Sequence, residues 1–231
     1  YVYSLSQDTL WVHLYGASTL DTTWAEGARI RLRQETGYPY AGAVRIVVDE
    51  APTHEVTLKL RIPGWARAEK VSLQVNGSPV LTPPVPGRYA EVKRFWKAGD
   101  VVTLDLAFEP VLIEANPLVE ETVNQVAVKH GPLVYCVEGN DLPPGVRLAD
   151  VVLSLDPAHR TFAPQREQIV NASVTTLTVP AWLRQRAPWQ PGQLYREVGP
   201  VRFVPIDLKL VPYFAWGNRG EADMSVWLPA R

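Results

Sequence analysis

Five side chains in this 231-residue chain could hold a transition metal through nitrogen or sulfur: His13, His54, His130, His159 and Cys136. A zinc site needs three or four such ligands brought together. The histidines are scattered, with no two at the short spacing of a ligand pair. Cys136 stands between Tyr135 and Val137 in an apolar run. A nucleophilic thiol requires an activating base or metal beside it, and nothing local supplies one. Cys136 is therefore expected to be a buried core thiol. A lone cysteine also rules out an intrachain disulfide and weakly favours a reducing, cytoplasmic compartment.

Carboxylate chemistry is no better provided for. Glycosidic bonds are usually cleaved between two carboxyl groups. Glu120 and Glu121 are adjacent, so on a strand they would point to opposite faces. Glu26 has no second carboxylate nearer than Asp21 or Glu35, and Asp49-Glu50 sits at a strand end. Each reads as a surface group. No phosphate-binding glycine loop, dinucleotide fingerprint or nucleophile elbow occurs.

Aromatic residues are the remaining signal. Eight tryptophans are many for this length. Their rings can stack on sugar faces, but they also pack sandwich cores and interfaces. Trp65 follows Pro63-Gly64, and Trp189 lies in a Pro-rich loop. These two are the most exposed by sequence, and with Trp24 they are the candidates for sugar stacking or interdomain contact. For Trp65 and Trp189, packing or interdomain contact is favoured over sugar.

The elements that would carry these side chains are strands. Between Glu55 and Glu109, Val56, Leu58, Leu60 and Ile62 alternate with Thr57, Lys59 and Arg61, the period of a half-buried strand. Asn76-Gly77 marks a tight hairpin, and Lys97-Ala98-Gly99-Asp100 a turn into Val102, Leu104, Leu106 and Phe108. Together these strands are expected to make one face of a sandwich. Before them, Tyr1–Ser6 and Leu10–Tyr15 form a hairpin around Gln7-Asp8-Thr9, and Ala28–Gln34 sets Ile30 and Leu32 against a solvated arginine row. After them come strands at 111–114, 123–128, 132–137, 151–155, 175–179, 201–210 and 225–227. The break at Ala115-Asn116-Pro117 sets the domain boundary. The expectation is an all-β chain of two jelly-roll-like β-sandwich domains, 1–115 and 116–231.

A net charge of -1 gives no case for nucleic acid, and no apolar run approaches the roughly 20 residues that cross a bilayer. The 21 prolines point to many turns and few long helices. An opening directly on a strand, without Met, suggests a fragment or processed product.

Five phrases, in this order and spacing, resemble one family: DTLWVHLYGAS (8–18), LRIPGWA (60–66), WKAGD (96–100), VAVKHGPLVYCVEGND (126–141) and LVPYFAWGNRG with MSVWLP (210–220, 224–229). They look like the C-terminal part of the β-L-arabinofuranosidases of glycoside hydrolase family 127, over essentially the whole chain. The resemblance implies an (α/α)6 catalytic barrel followed by β-sandwich domains. In the family the barrel carries a zinc-bound cysteine nucleophile and a glutamate acid/base. The nucleophile precedes a Tyr-x-Tyr strand that Tyr1-Val2-Tyr3 resembles, so the barrel, its zinc and its catalytic residues would lie outside this chain. Cys136 matches the cysteine of the GPLVYC phrase, not the nucleophile. No catalytic or metal residue is assigned here, and no cofactor is expected in this chain. The implied partner is the chain's own N-terminal barrel, with a second copy as an option. The implied role is to brace that barrel, the first strands packing near it; a carbohydrate-binding module is the alternative.

Overall fold

The alternation in residues 55–109 is realised, but on two sheets rather than one. The computed structural model describes residues 1–24, 27–169 and 171–231, and these divide into two compact units, Tyr1–Glu109 and Pro110–Arg231. In the first unit, β1 (Tyr3–Ser6), β2 (Thr9–Val12), β6 (Val56–Arg61) and β9 (Tyr89–Arg94) form a four-stranded sheet in that order. A six-stranded sheet runs β3 (Ser18–Thr23), β4 (Arg29–Thr36), β5 (Ala43–Glu50), β10 (Val101–Asp105), β7 (Ser72–Val75) and β8 (Ser78–Pro79). Strands β6 and β9 thus lie in one layer, and β7, β8 and β10 in the other. Alternation within a strand says which side chains are buried; it does not say which layer the strand joins.

Both layers supply one core. Leu10, Val12, Leu58 and Leu60 of the smaller sheet cluster with Ile30, Leu32, Ile46 and Leu104 of the larger, all at most 1% exposed. Asn76 and Gly77 take positive φ of 50° and 79°, as the two-residue turn between β7 and β8 requires. Strand β10 stops at Asp105, short of the expected run to Phe108: Ala107 adopts a positive φ of 40°, and its N–H is taken by Asp105 Oδ1 at 2.9 Å. The Phe108 ring then lies where a Cβ on Gly42 would come within 3.0 Å, so only glycine fits at position 42 without displacing it.

In the second unit β11 (Pro110–Ile113), β12 (Gln125–His130), β13 (Leu133–Glu138), β17 (Arg202–Pro212), β16 (Ala172–Gln185) and β14 (Val151–Leu153) are neighbours in that order. Strand β15 (Ala163–Ile169) pairs with β16, β18 (Met224–Ser225) with β13, and β19 (Leu228–Pro229) with β12. Leu153 of β14 bridges Ala230, just past β19, so the two ends of the sheet meet across a shared core of Val128, Tyr135, Val137, Leu153, Leu177, Val179 and Leu210. The division between units falls ahead of the expected 115/116. Pro110–Ile113 hydrogen-bonds along Ala127–His130, which draws it into the second unit.

Strand β16 is far longer than the expected 175–179 and passes through Pro180. Thr178 pairs with Ala163 of β15 and Ala181 with Leu153 of β14. Pro180 occupies the gap between those partners, where a missing N–H costs least. Strand β15 had no signal in the sequence because it is a polar edge strand, exposed over most of its length.

Candidate functional site

The outer face of the four-stranded sheet carries an aromatic and hydrogen-bonded cluster. Leu10, Val12, Leu58 and Leu60 point into the core, so Trp11, His13, Lys59, Arg61 and Tyr89 must point out. They are half-buried even so. The His13 ring lies between two hydroxyls, Ser4 Oγ at 2.7 Å from Nε2 and Tyr89 Oη at 2.6 Å from Nδ1. Tyr89 meets Trp11 edge-on with centroids 4.9 Å apart, and Lys59 Nζ lies 4.5 Å over the Trp11 ring while pairing with Glu91 at 2.7 Å. Arg61 Nε donates to the His13 carbonyl at 2.6 Å, and Tyr15 Oη donates to the Arg61 carbonyl at 2.6 Å. Burial raises the Tyr15 phenol well above its ordinary value, so it stays a donor. Two of the phrases noted in the sequence, 8–18 and 60–66, are joined by these bonds.

The outer face of the six-stranded sheet is different in kind. Arg29 binds Asp21 bidentately at 3.0 Å, Arg33 binds Asp49 at 2.8 and 3.1 Å and Glu35 at 2.8 Å, and Arg45 reaches Glu35 at 2.5 Å. This is the solvated arginine row, alternating with acids. It also accounts for Asp21, Glu35, Asp49 and Glu50 as ion-pair partners on the surface. Glu120 and Glu121 lie exposed in a single 3-10 turn. Glu26 falls outside the described residues.

A second cluster lies in the second unit and brings together phrases 126–141 and 210–220. Tyr135 and Cys136 pair with Pro212 and Val211 across β13 and β17. Beyond that register Glu138, with its side chain 1% exposed, accepts from Gly217 N at 2.8 Å and from Arg219 Nε at 2.9 Å. Arg219 also binds Asp141, at 2.9 and 2.5 Å, and Lys209 links Asp141 at 3.7 Å to Glu167 at 2.6 Å. A buried carboxylate is tolerable only when paired and hydrogen-bonded, and Glu138 is both. The effect is to clip the turn at 213–220 onto the end of β13. The five charged residues of this cluster escaped the sequence reading. Their one trace is a glutamate closing the otherwise apolar run LVYCV.

Cys136 is fully buried beside this clip, its Sγ 3.6 Å from the Val211 carbonyl. Burial, reinforced by the charge of Glu138, pushes the thiol up to about 12, so it stays protonated and is a poor metal ligand. His54 lies 3.8 Å from Asp8, and His159 lies 2.9 Å from Asp156. Among the described residues no group of three or more His, Cys, Asp or Glu could hold a metal ion. The residues present do not fit the zinc that the family resemblance implies for a barrel.

The three tryptophan candidates end in three different settings. Trp24 is 5% exposed, with its indole N–H shared between the carbonyls of Ser6 and Gln7 at 3.0 and 2.6 Å. It is a core residue, and a sugar could not reach its faces. Trp65 is half-buried against Phe108, centroids 5.2 Å apart, in an aromatic series continued by Tyr38 and Tyr15. Trp189 is 48% exposed, but the Arg196 guanidinium lies 4.2 Å over its ring and its loop lines a cavity of about 330 Å³. Trp24 belongs to the core of the first unit and Trp65 packs against that core, whereas Trp189 belongs to the second unit.

Comparison with known proteins agrees with the residue-level picture. Residues 9–108 match the family model for the β-L-arabinofuranosidase, GH127 middle domain, and residues 110–229 match that for the glycoside hydrolase family 127 C-terminal domain. The non-reducing end β-L-arabinofuranosidase of Bifidobacterium longum is 34% identical over 228 residues, 95% of this chain and 32% of that protein. A solved glycoside hydrolase superposes with a TM-score of 0.89 at 40% identity, over 99% of this chain and 37% of its own. The GH127 β-L-arabinofuranosidase of Geobacillus stearothermophilus T6 gives 0.86 at 34%, over 100% and 35%. The chain therefore spans about a third of the length of these relatives. With both units matched in sequence and fold, the chain belongs to glycoside hydrolase family 127.

Proposed function

We propose that this chain is the non-catalytic β-sandwich portion of a β-L-arabinofuranosidase-like glycoside hydrolase, and that it braces a catalytic portion which does the chemistry. The observation that carries the reading is the outer face of the four-stranded sheet. A solvated sheet face needs only charges and threonines, as the other sheet shows. Here Trp11, His13 and Tyr89 are cross-linked and half-buried instead. Strand β1, which carries Ser4 against the His13 ring, is an edge strand of this sheet. An aromatic, hydrogen-bonded face of this kind suits a covering domain.

The test is a replacement. In the Bifidobacterium longum enzyme, the third that matches this chain is exchanged for it, and hydrolysis of an aryl β-L-arabinofuranoside is followed. Activity is expected in the chimaera and to be lost when Trp11 and Tyr89 are both changed to lysine. The isolated chain is expected to be inactive and to bind no stoichiometric zinc. Chelator-sensitive turnover by the isolated chain would overturn the proposal, as would a fully active double-lysine chimaera.

A further inference from the structure

The turn at 213–216 presents two neighbouring aromatic rings to solvent: Tyr213 is 47% and Trp216 41% exposed, with centroids 6.4 Å apart. Between them Ala215 is buried at 4%, so the turn is rooted in the small core that also holds Cys136 and Val211. The ion clip fixes its far side, since Gly217 N and Arg219 both bind Glu138. Placing a carboxylate at 1% exposure is a costly way to hold a surface turn, and what it holds is a rigid aromatic platform. Polar groups border the rings. Asn218 spends its amide N–H groups on the carbonyls of Ala215 and Trp216, at 3.1 and 3.4 Å. Its Oδ1 and the Trp216 indole N–H have no partner among the described residues.

We infer that this turn is a carbohydrate-binding platform, with Trp216 as the stacking ring, and that it takes a single neutral sugar residue of a glycan. Size decides against a protein occupant. Two rings at about 45% exposure and roughly 200 Å² each offer on the order of 180 Å², well short of the roughly 800 Å² per partner of a stable protein interface. A sugar ring presents one face of weakly positive C–H groups, which suits the negative face of an indole. Its hydroxyls find an acceptor in Asn218 Oδ1 and a donor in Trp216 Nε1–H. Charge decides the class of sugar. Arg219 is already held by two carboxylates and Glu221 follows it in the chain, so an anionic sugar meets no free cation here. The residues of this turn are not those of the bracing face.

The test is titration of the whole chain with arabino-oligosaccharides, following the tryptophan indole N–H resonances by NMR, with oligogalacturonates as the charged comparison. A saturable shift confined to one indole, lost in Trp216→Ala and weakened about tenfold in Tyr213→Ala, is expected. Trp189→Ala should leave it unchanged, and oligogalacturonates should produce none. No saturable shift with the neutral series, binding that survives Trp216→Ala, or binding that follows Trp189 instead would each overturn the inference. So would an equal response to the charged series. Both variants change exposed side chains, and their folded state is checked in the same spectra. A chain that binds sugar while the chimaera fails, or the reverse, separates this site from the brace.

Discussion

The first unit has two outer faces on one core, and they solve the same problem differently. On the six-stranded sheet, Arg29, Arg33 and Arg45 stand between Asp21, Glu35, Asp49 and Glu50 with side chains mostly around half exposed. Such pairs keep their charges hydrated and add little to stability. On the four-stranded sheet, Trp11, His13 and Tyr89 share edge-to-face contacts and hydrogen bonds, with Lys59 laid over the indole. That face withdraws ring surface from water through contacts among its own side chains. The difference teaches that a period-two strand pattern fixes only the inner face. What stands on the outer face depends on what it meets, water in one case and, by our proposal, protein in the other.

The contrast can be broken first at what the two faces share. Leu60 is fully buried between the layers, and Leu60→Ala should destabilise the first unit by about 3 kcal/mol. In urea unfolding followed by Trp fluorescence, both faces should be lost in one transition. A smaller, local loss confined to one sheet would show that the layers do not fold as a unit. The next effect belongs to the aromatic face. Tyr89→Phe keeps the ring against Trp11 but removes the hydroxyl from His13 Nδ1. A loss of about 1 kcal/mol is expected for one such hydrogen bond. A wild-type midpoint in Tyr89→Phe would mean that the hydroxyl is exchanged for water without cost, and the two faces would then differ in composition alone.

Much of this architecture was legible beforehand, and the gaps have physical causes. Ile30 and Leu32 against Arg29, Arg31 and Arg33, and the turn at Asn76-Gly77, were readable because burial and positive φ act on neighbouring residues. The all-β class followed from the same local patterns, and the family from the resemblance of five phrases. The sorting of β6 and β9 from β7 and β10 was not readable, since layer choice depends on partners distant in sequence. Length was misread at β16, where Pro180 looks like a terminator until the gap between β14 and β15 is known. The ion clip was missed for the same reason: Glu138 and Arg219 are 81 residues apart, and neither is unusual alone. Among the tryptophans, the Pro-rich flanks of Trp189 foretold its exposure of 48%, but flanking residues did not sort the others. Trp24 is buried with its N–H on two carbonyls, whereas Trp216, in a phrase read only for its family resemblance, also faces solvent.

The smallest effect is expected on the charged face, and it tests the contrast most sharply. Arg33→Ala removes the partner of Asp49 and one partner of Glu35. Both sites are open to water, so the urea midpoint at moderate salt should not move measurably. The pair should show itself in pH instead. The hydrogen bond from Arg33 holds the Asp49 carboxyl below its ordinary value. A carboxyl whose folded pKa is depressed contributes stability that is present above the unfolded value of about 3.9 and fades as pH falls through the folded value. Wild type and Arg33→Ala should therefore converge in acid and differ, if at all, only near neutrality and at low ionic strength. A clear loss at high salt would contradict this, because screening leaves only contacts that water cannot replace. The arginine row would then be packed rather than solvated, and the distinction between the two faces would have to rest on the aromatic cluster alone.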